Sequence, residues 1–241
     1  MNTTLRPHRF AGALDAFRVV DRILRNRNAF FTEVREGQDV SAKIRDMLVS
    51  STVFFALYGA VMGSTSPHWQ QVLASAVKLP ILFLITLVIC LPSLYFFNLF
   101  FGSRLTFFQT LALVLTGITV TSVLLVSFLP ITLFFWWTAP SYQFFKILNV
   151  GFFTLTGFFG VIFLHLGMMH VHQDEGVLLR LLILWGWIFI YGFVGSQMAW
   201  TLRPFFGAPE LPFELFRQMG GNFYSDVLRS LGEILGFGFV R

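Results

Sequence analysis

Of the chain's 241 residues, 56% are hydrophobic and only 12% charged, with a mean hydropathy of +0.72 and a formal net charge of +5. Soluble domains carry charge on about a quarter of their residues, so this composition excludes a soluble fold and points to an α-helical integral membrane protein. The 32 phenylalanines are spread through every apolar segment, as lipid contact and interhelical filling require, and the lone Cys90 allows no intrachain disulfide.

The opening MNTTLRPHRF has no basic region leading directly into an apolar run, so no cleaved signal peptide is expected and the first span is expected to direct insertion. Residues 1–46 read as a basic tail. Within it Phe10, Leu14, Phe17 and Leu24 share one helical face, while Arg18, Arg22 and Arg25 follow an i, i+4, i+7 pattern on another. Ordinary anchoring at an anionic leaflet explains such an amphipathic helix, with docking to lipid or to a partner as the functional alternative. Six acids against nine bases leave this tail an excess of only three, too little for nucleic-acid binding.

Runs of about 20 apolar residues, enough to cross ~30 Å of hydrocarbon, predict five spans. They occupy 47–64, 79–101, 106–136, 147–168 and 178–200 within a transmembrane domain over 47–200. The third is long for one crossing, and Pro130 is expected to kink it before Trp136 and Trp137 reach an interface. Nine of the seventeen Lys and Arg precede the first span. Placing that tail in the cytoplasm also puts Arg104 and Arg180 inside, and the C-terminus then lies outside. Lys78 and Lys146, at span starts on the outer side, are expected to snorkel to water.

No Asp, Glu or Arg stands in the middle of an apolar run, which argues against a proton- or ion-coupled machine. Gln109, Thr116 and Thr119 in the third span form a polar stripe that suits interhelical hydrogen bonds or, alternatively, a neutral pore. Gly192, Ser196 and Trp200, four apart, with Gly195 and Ala199, give the last span a narrow face for close helix approach, first of all within the monomer. Gly157, Gly160 and Gly167 thin the fourth span similarly. In HLGMMHVHQDE, His165, His170, His172, Asp174 and Glu175 do not have a recognised ligand spacing, so no metal is expected.

Residues 201–241 form the least lipid-like stretch. Pro204, Pro209 and Pro212 interrupt any helix, and Phe205, Phe206, Phe213 and Phe216 are too apolar for a solvated linker, so the segment packs against its own bundle or against a partner. Arg203 and Arg217 are placed to pair with Glu210 and Glu214. Gly220, Gly221 and Asn222 then read as a turn and cap for a helix presenting Phe223, Val227, Leu228, Leu231, Ile234 and Leu235 to a membrane surface or a partner. No nucleophile arrangement, phosphate-cradling Gly loop or HExxH is present, and no catalytic residue or cofactor is expected.

The expected fold is therefore an all-α polytopic bundle of five transmembrane helices, with an N-terminal amphipathic helix, a proline-interrupted C-terminal loop and an interfacial helix. A polar tail followed by five closely spaced spans, with the middle string FGSRLTFFQTLALVLTGITVTSVLLVSFLPI, resembles the Yip1-domain membrane proteins over residues 47–200. That resemblance implies a non-enzymatic role in membrane organisation through protein partners and carries over no functional residue. The expected function is a membrane subunit or scaffold in contact with lipid and with a protein partner or further copies of itself; the alternative is a homo-oligomeric channel.

Overall fold

The computed structural model describes residues 11–100, 105–138, 141–171, 177–206, 213–216 and 221–235. Within them the chain forms nine helices and no strand: α1 (Ala11–Arg25), α2 (Arg27–Arg35), α3 (Val40–Gly63), α4 (Trp69–Phe100), α5 (Phe107–Ser127), α6 (Leu129–Thr138), α7 (Tyr142–Val171), α8 (Val177–Leu202) and α9 (Phe223–Ile234). Five of them, α3, α4, α5, α7 and α8, are long and apolar enough to cross a membrane, making this a multi-pass integral membrane protein. Helices α1 and α2 sit at one end of the bundle and α9 at the other, as an odd number of crossings requires.

Several helices begin before the apolar run that predicts them. α3 starts at Val40 and α4 at Trp69, because helical hydrogen bonding continues past the lipid boundary wherever the polar residues have protein partners. α4 also runs through Pro80 and Pro92. Each proline removes one backbone donor, a loss that neighbouring helices and side chains can accommodate in a membrane. The long third run divides at Phe128, two residues upstream of the expected kink: α5 closes there, and Pro130 falls in the first turn of α6, where its missing N–H costs nothing. α6 has ten residues, too few to cross.

α5 is the axis of the bundle. Its apolar window is 72% buried, against 11% for α8, and residues 112–122 are buried all round. α3 and α7 flank it. Against α7 the approach is made by two glycines: a Cβ on Gly117 would lie 2.8 Å from the Gly160 carbonyl oxygen, and one on Gly160 would lie 2.6 Å from that of Gly117. α3 closes on α4 in the same way at Gly63, where a Cβ would lie 2.5 Å from the Gln71 carbonyl oxygen, and the Phe55 and Phe83 rings stack at 4.0 Å. Beside these contacts the Tyr58 hydroxyl donates to Asn149 Oδ1 at 2.8 Å, tying α3 to α7, while Asn149 Nδ2 donates to the Phe145 carbonyl.

Candidate functional site

Three regions carry the polar chemistry of the molecule: a cap at each end and a hollow between α7 and α8.

At the first end, Val19 and Ile23 of α1 and Phe30, Phe31 and Val34 of α2 are buried, so the amphipathic helix folds onto its own bundle rather than away from it. Phe17 and Leu24 remain exposed. Glu33 takes an ion pair from Lys43 at 3.0 Å and a second from Arg22, and Lys43 also donates to the Gln38 carbonyl. Burial pushes the Glu33 carboxyl up, but the hydrogen bonds and charges of Lys43 and Arg22 outweigh it and hold the carboxyl below its ordinary value of 4.5. Gly37, at φ +76°, and Asp39 turn the chain from α2 into α3.

Gln109 locks this cap to α5. Its Oε1 accepts from the Thr106 N–H and hydroxyl in a capping box, and its Nε2 donates to the Val34 and Arg35 carbonyls at 3.0 and 2.8 Å. Thr116 donates to the Ala112 carbonyl and lies 3.7 Å from the Met47 sulfur; the buried Thr119 hydroxyl has no hydrogen-bond partner. The three residues of the expected polar stripe are thus interior to the bundle; Gln109 bonds to the α2 carbonyls and Thr116 to the Met47 sulfur of α3. His170 Nε2 meets the Thr32 hydroxyl at 2.9 Å. Among the described residues no group of three or more potential metal ligands comes together.

At the opposite end the chain leaving α8 is fastened to α4. The Pro204 carbonyl accepts from Gln71 Nε2 at 3.1 Å and Lys78 Nζ at 3.2 Å, the Phe205 carbonyl accepts from the Ser75 hydroxyl at 2.6 Å, and Lys78 also donates to the Leu215 carbonyl. Lys78 is only 4% exposed; instead of snorkelling, it substitutes three backbone and aromatic contacts for water, with the Phe216 ring 5.0 Å below its ammonium. The Phe206 ring meets Phe145 and Tyr142 edge-on. The expected partner interface therefore divides: Pro204, Phe205 and Phe206 pack on this chain's own helices and Phe213 is half-buried, whereas Phe216, Leu228 and Leu231 face outward.

α9 begins with a capping box between Asn222 and Ser225, after Gly221 at φ +72°. It lies across the ends of α7 and α8, held by the Lys146–Asp226 ion pair at 2.8 Å and by the Ser196 and Tyr224 hydroxyls, 3.0 Å apart. Lys146, like Lys78, thus finds a protein partner. Arg203 lies over the Trp200 ring at 3.3 Å. Phe10, Arg104, His172, Asp174, Glu175, Pro209, Glu210, Pro212, Arg217 and Gly220 lie outside the described residues.

Beneath α9 a hollow of about 740 Å³ runs down between the α4–α8 and α5–α7 pairs. The small face of α8 lines it: Gly192, Gly195, Ser196 and Ala199 all border this space. A Cβ on Gly192 would meet nothing within 4 Å, and on Gly195 only Thr86 Cγ2 at 3.7 Å; Gly157 across the gap is equally open. The glycines that do bring helices together are Gly59 and Gly63 between α3 and α4, Gly117 and Gly160 between α5 and α7, and Gly167, the last against Phe31 and Leu113. Sequence reasoning did not anticipate the hollow, because small residues at four-residue spacing look alike whether they admit a helix or leave a space. No family model, curated protein or solved structure matches this chain.

Proposed function

We propose that this membrane protein is a non-enzymatic subunit or scaffold, whose bundle holds two ordered caps on opposite faces of the membrane for engagement by protein partners. The observation that supports this is the way both caps are fastened. Gln109 fixes the α2 carbonyls to α5, and Gln71, Ser75 and Lys78 fix the Pro204, Phe205 and Leu215 carbonyls to α4. Buried polar groups that position peripheral segments give each face a defined shape, which a partner can read without the entropic cost of ordering it. The resemblance to Yip1-domain proteins points the same way. The excess of Lys and Arg in residues 1–46 supports a cytoplasmic location for the α1–α2 cap and an extracytoplasmic one for α9.

The test is the mass and composition of the particle released gently from its native membrane. A stable assembly with other polypeptides is expected; a pure symmetric homo-oligomer would refute the scaffold reading and favour a channel. The orientation is checked by a cysteine introduced at Asp226 in a Cys90→Ala background, which a membrane-impermeant reagent is expected to label from the outer face only.

A further inference from the structure

We propose that the hollow between α7 and α8 is a binding site for a single-chain zwitterionic lipid of the lysophospholipid class, with its tail inside the bundle and its headgroup beneath α9. Four observations lead to it. The volume, about 740 Å³, falls in the range of roughly 300–1,000 Å³ typical of small-molecule sites, a scale that suits one chain. The space exists because Gly157 and Gly192 stand on facing walls with nothing within 4 Å of where a side chain would begin. α7 and α8 draw together near His165 and Trp185, whose rings are 6.1 Å apart, and are bridged by α9 at the other end. Between those two closures the gap faces the lipid phase, so its occupant comes from the bilayer.

The wall is graded along its length. Its deep part is lined by Leu82, Phe83, Ile118, Phe153, Leu164 and Ile188, an apolar surface suited to an acyl chain. Under α9 the chemistry changes. There Lys146, Arg203 and Arg229 stand with Asp226 and Glu233, cationic groups to meet a phosphate and carboxylates to meet an ammonium, which suits a headgroup carrying both signs. On opposite walls at the same level, Trp200 Nε1 and Gln143 Oε1 are buried without a hydrogen-bond partner in the protein. A buried donor or acceptor left unpaired is costly; the phosphate oxygens of a lysophospholipid can accept from Trp200, and its free glycerol hydroxyl can donate to Gln143.

The experiment uses the full chain in phosphatidylcholine nanodiscs, with native mass spectrometry counting added lysophosphatidylcholine. Saturable binding of one molecule per protein is expected. The Gly157→Leu, Gly192→Leu double variant, whose Cβ atoms would meet nothing within 4 Å and whose side chains extend into the space, is expected to weaken binding by at least about tenfold while retaining wild-type helicity and thermal stability. Each single variant provides the same comparison if the double variant does not fold. Absence of saturable binding, or undiminished binding to the folded filled variants, would overturn the site. Equal or tighter uptake of lysophosphatidylglycerol would overturn the zwitterionic assignment, and saturable retention of diacyl phosphatidylcholine in the same stoichiometry would overturn the single-chain one.

Discussion

Substituting alanine at Gly117 or Gly160 tests the packing of the bundle's axis most directly. In Gly117→Ala the added Cβ would stand 2.8 Å from the Gly160 carbonyl oxygen, and in Gly160→Ala 2.6 Å from the Gly117 carbonyl oxygen, where ordinary contact begins at 3.4 Å. The helices must therefore separate by about 0.6 Å in the first case and 0.8 Å in the second. The carbonyl oxygens are backbone, which cannot swing aside as a side-chain tip can, and in Gly160→Ala the methyl also meets the Thr121 hydroxyl, which lies closer still. Thr121, which donates to the Gly117 carbonyl and reaches toward that of Thr156, lies in the same contact and moves with it. Overpacking of this kind costs about 1–3 kcal/mol, and Gly160→Ala, with the shorter approach, is expected at the upper end. Gly157→Ala is the control: it adds the same methyl to the same helix where nothing lies within 4 Å, so it is expected to be neutral or, through helix propensity, stabilising by up to ~1 kcal/mol. Reversible unfolding of the purified protein in mixed micelles by increasing SDS provides the measurement. Equal stabilities for the three variants would refute the assignment of α5–α7 as the close-packed pair.

Three further outcomes are expected. Because the folded Glu33 carboxyl is held below its ordinary value of 4.5, its ion pairs contribute stability that is fully present above that value and is lost as pH falls through the folded one. Acidification is therefore expected to lower amide protection factors, taken relative to intrinsic exchange at each pH, in α1 and α2, and Glu33→Gln to remove that pH dependence at a cost below about 1 kcal/mol for a group 25% exposed; protection that ignores pH, or a pH dependence that persists in the variant, would contradict it. Lys78→Ala removes the donor shared by the Pro204 and Leu215 carbonyls and is expected to destabilise the fold by about 1.5–3 kcal/mol, with faster amide exchange around Phe205 and Phe206. Unchanged exchange there would show that Gln71 and Ser75 suffice. Tyr58→Phe deletes the bond to Asn149 Oδ1 and is expected to cost about 0.6–1.7 kcal/mol, the span found for interhelical hydrogen bonds in membranes, and to cost much less when made in an Asn149→Ala background, where that acceptor is already gone.

The amino-acid sequence by itself determined the number of long apolar helices, the amphipathic first helix and the Asn222 cap of α9, because these depend on composition and on residues within one or two turns of each other. The helix ends were less legible. Lys43, Gln71, Ser75 and Lys78 fall outside the spans predicted from apolar runs, yet they lie within α3 and α4, because their partners, Glu33 and the Pro204, Phe205 and Leu215 carbonyls, are remote in the chain. The same holds for Lys146 and Asp226, 80 residues apart. Least legible was the use of small residues. Gly160 and Gly192 are both glycines in apolar helices, but one is pressed against the backbone of α5 and the other borders a hollow. Only the tertiary structure decided between these, since a residue without a side chain has no local preference for contact over space; the placement of the neighbouring helix supplies it.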